Sequence, residues 1–212
     1  MNDIKYIFFD FNGTLLNDVN LCLDLLNEKL ASQNKDTLTL DEYKHVFKFP
    51  IKDYYRDAGL DFNIESYESM ADKFIAKYQP LSLRCGLYEC VKPTLKYLYD
   101  KGIKLIILSA SETNNLNYQV NHYGINSYFD AVLGIDNIYA ESKMGIGLKY
   151  IKSHNIKKED CIFVGDTLHD FEIAKEMGID AILVECGHQA NDVIRESGAY
   201  IIHDIGDLRR LI

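Results

Sequence analysis

Two acidic turns dominate the chemistry of this sequence. The apolar run Ile4–Phe9 stops at Asp10-Phe11-Asn12-Gly13-Thr14-Leu15, and the run Cys161–Val164 stops at Gly165-Asp166-Thr167-Leu168-His169-Asp170. Read singly, the first is an ordinary Asp-Asn-Gly turn and the second a helix start capped by Asp166. Taken together they deliver carboxylates to one edge, with Asp166 and Asp170 four residues apart. Carboxylates gathered in one place repel, and a hard divalent cation bound through oxygen relieves the repulsion; Mg²⁺ is the usual choice where phosphate is also present. Two further places suit an anion. Ser109-Ala110-Ser111, after the run Lys104–Leu108, offers a hydroxyl and backbone N–H groups at an expected helix start, although a plain N-cap serine has the same appearance. Lys143 sits at the start of another helical pattern, where a cation opposes the helix dipole and so needs a reason to be there.

These residues are useful only if the fold brings them together. Ile4–Phe9, Lys104–Ser109, Ala131–Gly134, Cys161–Gly165, Ala181–Val184 and Tyr200–Ile202 read as strands buried on both faces. Helical patterns over Tyr88–Lys101, Lys143–Ser153, Leu168–Met177 and Asn191–Ser197 alternate with them, three of these closed by Gly102, Gly178 and Gly198. Such alternation predicts an α/β fold, a Rossmann-like doubly wound parallel sheet with ligands at the carboxyl ends of its strands. From Leu16 to Arg84 the rhythm breaks. Four helical patterns, Asn20–Ala31, Leu40–Phe47, Ile51–Ala58 and Ile64–Tyr78, replace it. The expected organisation is therefore an α/β core domain of residues 1–15 and 85–212, with a small all-helical cap domain, 16–84, inserted after the first strand and placed to act as a lid.

Composition narrows the partners. The chain has 212 residues, 47% apolar, with a net charge of −9, enough for one domain and a small insertion. An acidic surface without a run of Lys and Arg argues against nucleic acid. No apolar stretch approaches the roughly 20 residues that span a bilayer, so no membrane role is expected. Five scattered cysteines without metal-ligand spacing, and no visible secretory signal, predict reduced thiols and a cytoplasmic location.

The four chemical segments, in this order and at these strand ends, resemble the haloacid dehalogenase superfamily, and the helical insertion is similar to that family's first type of cap, found in phosphoglycolate-phosphatase-like and phosphomutase-like members. Asp10 to Leu15 matches the first motif, Ser109 the second, Lys143 the third, and Gly165-Asp166-x-x-x-Asp170 the fourth. The resemblance implies that Asp10 attacks phosphorus in a small phosphorylated metabolite and forms an aspartyl-phosphate, which water hydrolyses. It implies Mg²⁺ held by Asp10, the main-chain carbonyl of Asn12 and Asp166, with Asp170 in support. Thr14, Ser109, Ala110 and Lys143 would bind the transferring group.

One residue departs from the family. Asn12 stands where most of its phosphatases carry a second Asp that serves as general acid and base, help typically worth about 10²–10⁴ in rate. Several outcomes stay open from sequence: slow turnover or a restriction to good leaving groups, a durable aspartyl-phosphate as in a phosphotransferase or phosphomutase, another acid such as Asp18 or Glu28 in its place, or a binding protein without turnover. In the cap, Arg56 and Arg84 are the expected anion contacts, each with the alternative of a surface ion pair. His188, in the loop after the fifth strand, is expected to be a solvated loop histidine facing the same edge.

Overall fold

A computed structural model describes residues 4–136 and 143–212. Six strands, β1 (Tyr6–Phe9), β2 (Lys104–Glu112), β3 (Ala131–Ile135), β4 (Cys161–Gly165), β5 (Asp180–Val184) and β6 (Tyr200–Ile202), form one sheet in the order β3-β2-β1-β4-β5-β6. Every pairing is parallel. The continuous apolar runs have a direct cause: both faces are covered. Ile7 and Phe9 of β1 and Ile162 and Val164 of β4 enter the core on one face. Phe8 and Phe163 enter the core on the other. Strand order reverses beside β1, which places the ligand crevice at the carboxyl ends of β1, β2 and β4.

Helices α1 (Val19–Ser32), α2 (Leu40–Val46), α3 (Ile51–Asp57) and α4 (Tyr67–Ser82) fill the stretch after β1. They bury a core of their own around Leu26, Leu30, Tyr43, Tyr54 and Met70. A capping box between Thr39 and Glu42 starts α2, and Ser66 caps α4. The remaining helices are α5 (Val91–Asp100), α6 (Thr113–His122), α7 (Met144–Ser153), α8 (Leu168–Met177), α9 (Asn191–Arg195) and α10 (Leu208–Leu211). Helix α4 runs beyond the expected Tyr78 and contains Pro80.

Two local expectations are corrected. Ser109 does not open a helix: β2 continues past it with a register shift between Leu108 and Glu112, and Glu112 caps α6. Helix α6 itself was hard to anticipate, because TNNLNYQVNH is rich in weak helix formers and buries only Leu116, Gln119 and Val120. Nor does Asp166 cap α8. Thr167 does, in a capping box with Asp170.

Candidate active site

Asp10 continues β1, its N–H donating to the Val164 carbonyl at 2.8 Å, so the carboxylate leaves the sheet edge beside β4. Gly13 then turns the chain at φ +74°. A Cβ there would lie 2.4 Å from Asp166 Oδ2 and 2.5 Å from His188 Cδ2, so only glycine lets the loop pass this closely over β4. Gly187, in the loop after β5, serves the same purpose from the other side: its Cβ would lie 2.2 Å from the Asp166 side chain.

Three buried carboxylates result. Ligand oxygens of Asp10, Asp166 and Asp170 all lie within 4.8 Å of one another. Lys143, N-terminal to α7 and 2% exposed, reaches back to Asp10 Oδ1 and sits 2.8 Å from Asp170 Oδ1. Burial pushes the Asp10 carboxyl up strongly; the Lys143 charge opposes this, while Asp170 and Asp166 add to it. Asp166 is likewise pushed up by burial and by Asp170, against the His188 charge. Burial also acts on Asp170, but there the Lys143 ammonium wins and holds it below the usual carboxylate range. One lysine therefore leaves the cluster short of positive charge, and the donors are all oxygen. That donor set fits a hard divalent cation.

A second buried network surrounds Asn12. Its Nδ2 donates to Asp18 Oδ2 at 2.9 Å and to the Tyr78 hydroxyl at 2.5 Å. Its Oδ1 accepts from Ser111 Oγ at 2.8 Å. An ionised Asp18 can only accept hydrogen bonds, which requires the nitrogen of Asn12 on that side. Asp18 Oδ1 also accepts from the Gly13 N–H at 2.9 Å and lies 3.1 Å from His188 Nε2. His188 is therefore not the solvated residue the sequence suggests. It is 4% exposed, its N–H donates to Asp166 Oδ2 at 2.7 Å, and its Nδ1 lies 2.7 Å from the Tyr43 hydroxyl. Burial disfavours both charges, yet the Asp18 charge and hydrogen bond raise His188, and the His188 charge with bonds from Tyr78 and Asn12 lowers Asp18.

This ion pair ties the start of α1 to the loop after β5. Losing one partner of a buried pair leaves the other charge uncompensated, a cost of about 3–5 kcal/mol. His188→Ala is thus expected to lower unfolding free energy by about that amount near pH 5–6, measured by urea denaturation. The sign follows from both groups. Asp18 is depressed, so its contribution is present above its ordinary value of 3.8 and fades as pH falls through the lowered value. His188 is raised, so its contribution is present below its ordinary 6.5 and fades as pH rises through the raised value. An equal loss at pH 10 would refute an ionic origin.

Both networks open onto one cavity of about 180 Å³, lined by Asp10, Asn12, Ser109, Ala110, Lys143, Asp166 and Asp170 on the sheet side. The sequence pattern of the haloacid dehalogenase-like hydrolases matches residues 7–184. The chain belongs to that family. The hydrolase is similar to a pyrophosphatase, PpaX, of Halalkalibacterium halodurans, 22% identical over 99% of this chain and 97% of the relative. It is also similar to a phosphoglycolate phosphatase of Colwellia psychrerythraea, 24% identical over 93% of this chain and 92% of the relative. Its fold is that of a haloacid dehalogenase-like family hydrolase from Streptococcus pneumoniae, with a TM-score of 0.83 at 19% identity over 100% and 99% of the two chains.

Not every expected contact of this hydrolase reaches the cavity. Thr14 is fully buried, outside the cavity lining, and its hydroxyl donates to Asp166 Oδ1 at 3.1 Å, so it orients a carboxylate. Arg56 lies outside the cavity lining. It is exposed on α3, 2.7 Å from Asp53 Oδ1, because an arginine one turn after an aspartate on a solvated helix face finds that neighbour first. Arg84 is also exposed and outside the lining. Ser111, Tyr43 and Tyr78, by contrast, carry the network and were not singled out from sequence. A tyrosine on an apolar helix face reads as core, and Ser111 looked like part of a helix start.

Proposed function

We propose that this hydrolase is a Mg²⁺-dependent phosphatase of a small phosphorylated metabolite, with Asp10 as the nucleophile and residues 16–84 as a cap over the site. The observation that carries the reading is the buried cluster of Asp10, Asp166 and Asp170 with Lys143, set at the carboxyl ends of β1 and β4 and open to a cavity. Full-length similarity to phosphatases supports it.

Asp10, Asp166 and the main-chain carbonyl of Asn12 would hold the Mg²⁺, with Asp170 supporting them. When bound, the ion offsets charge on the phosphoryl oxygens and favours the ionised form of Asp10. The protein's own residues do the rest. Asp10 presents a carboxylate oxygen to phosphorus, and the phosphoryl group passes to it as the bond to the leaving oxygen breaks. Lys143 neutralises the phosphoryl oxygens and restrains Asp10. Ser109 accepts from the Ser111 N–H at 3.1 Å, which fixes its oxygen and leaves the O–H to donate to the phosphoryl group. Catalysis of this kind is mostly positioning and charge neutralisation. The Asn12 amide, with both hydrogens committed to Asp18 and Tyr78, holds the loop and supplies no acidic proton.

The test is phosphate release from a panel of small esters. Stripping divalent ions with a chelator is expected to reduce release at least about 100-fold, with recovery on adding Mg²⁺. Release that survives both chelation and Asp10→Ala would sink the proposal.

A further inference from the structure

The cap side of the cavity carries a substrate preference that neither the family match nor the relatives' names assign. Above the acid cluster the lining is aromatic: Phe47, Phe49, Tyr54, Tyr55, Phe74 and Tyr78. Phe74 stacks on Tyr78 at 5.4 Å and 14°, and Phe49 stacks on His169 at 4.5 Å, which leaves rigid flat faces. Lys143 is the one Lys or Arg lining the cavity among the described residues, and it is committed to Asp10 and Asp170. Residues 1–3 and 137–142 contain neither type. The other candidate cation, His188, is held against Asp18, and the carboxylate-bearing Glu112 also lines the cavity. A leaving group with its own negative charge, such as the carboxylate of phosphoglycolate or the second phosphate of pyrophosphate, would find no cation on this side. An aromatic ring would find partners among these faces.

Asn12 points the same way from different chemistry. Without an acid at that position the leaving oxygen must depart as an anion. A phenol, with a pKa of about 10, tolerates that far better than an alkyl alcohol. We infer that the substrate class is a small aryl phosphate monoester, its ring seated among the cap aromatics and its phosphoryl group at Asp10; the inference rests on the phosphatase reading above. In the balanced reaction an Asp10 oxygen bonds to phosphorus as the P–O(aryl) bond breaks, the bonding pair leaving on the phenolate, which takes a proton from solvent. Water then attacks the phosphoryl group, inorganic phosphate departs, its surplus proton passing to solvent, and the Asp10 carboxylate is restored.

The experiment uses the full chain with Mg²⁺ and has two arms. In the first, kcat/KM is compared for phenyl phosphate, benzyl phosphate, phosphoglycolate and pyrophosphate, each with Asp10→Ala as blank. Phenyl phosphate is expected to exceed benzyl phosphate and phosphoglycolate, whose alkoxides leave poorly, at least about 100-fold, the low end of what a missing general acid costs, and to exceed pyrophosphate because the cap side offers its second phosphate no cation. In the second, benzylphosphonate, which has no scissile P–O–C bond, is expected to inhibit at least about ten-fold more tightly than methylphosphonate. Phe74→Ala and Phe49→Ala, at half-buried positions, are each expected to shrink that selectivity at least about three-fold. If phosphoglycolate or pyrophosphate leads, or the two phosphonates inhibit equally, the aryl inference is overturned while the phosphatase reading stands. If no ester gives release that depends on Asp10, the phosphatase reading itself fails.

Discussion

Asp10→Asn is expected to reduce phosphate release by more than about 10⁴-fold while leaving the protein as stable as before, or more so, in the absence of metal. The loss follows from removing the proposed nucleophile: no other carboxylate can take its place, since Thr14 and the His188 N–H hold Asp166, and Lys143 and the Thr167 hydroxyl hold Asp170. Stability changes through proton linkage. Burial, Asp170 and Asp166 together raise Asp10 in spite of Lys143, so the folded state resists its ionisation. A raised acid weakens the fold as pH climbs from its ordinary 3.8 towards the raised value, and an amide removes that penalty. Lys143 keeps Asp170 as a partner. Thermal unfolding at pH 7 with and without Mg²⁺ checks the account: the ion should stabilise the native chain clearly and the variant much less. Equal stabilisation of both would mean that Asp10 takes no part in binding the metal.

The second large effect concerns the displaced acid. Asn12→Asp would set a carboxylate where Asn12 Nδ2 now lies 2.9 Å from Asp18 Oδ2. Two carboxylates that close cannot both ionise. The single variant is therefore expected to lose about 1–3 kcal/mol of stability, the cost of replacing a donor with a mismatched buried group, and to gain little turnover. Adding Asp18→Asn re-creates a donor opposite the new acid. The double variant should raise turnover of an alkyl ester such as phosphoglycolate by about 100-fold, the low end of general acid help, while the loss of the His188 counter-ion keeps it less stable than the native chain. Urea unfolding and phosphate release on the two singles and the double form a closed cycle, so the coupling is read directly. A full gain from Asn12→Asp alone, at no cost in stability, would show that Asp18 does not govern position 12.

Much of the architecture was legible in the chain itself. Strands such as Tyr6–Phe9 and Cys161–Gly165 are apolar at every position because parallel strands are covered on both faces, and each ends abruptly at an acid. Helix α8 could be bounded at its end by Gly178, although the cap expected at Asp166 lies at Thr167. The four insertion helices were visible for similar local reasons. Local signals drew notice to Asp10, Lys143, Asp166 and Asp170 at strand ends and helix starts, which a parallel sheet gathers at one edge, but each had an ordinary reading by itself; only their order together, with Ser109, carried the family resemblance. Tertiary structure alone decided the rest. That Asn12 is clamped by Asp18, Tyr78 and Ser111 depends on contacts 6, 66 and 99 residues apart, for which no spacing rule exists. That His188 is buried against an acid and Arg56 solvated depends on which side chains happen to face them, Asp18 from 170 residues away and Asp53 from one helical turn. A sequence states which groups are available. Only packing decides which of them lose their water, and in this hydrolase that loss sets both the charge of the acid cluster and the character of the cavity above it.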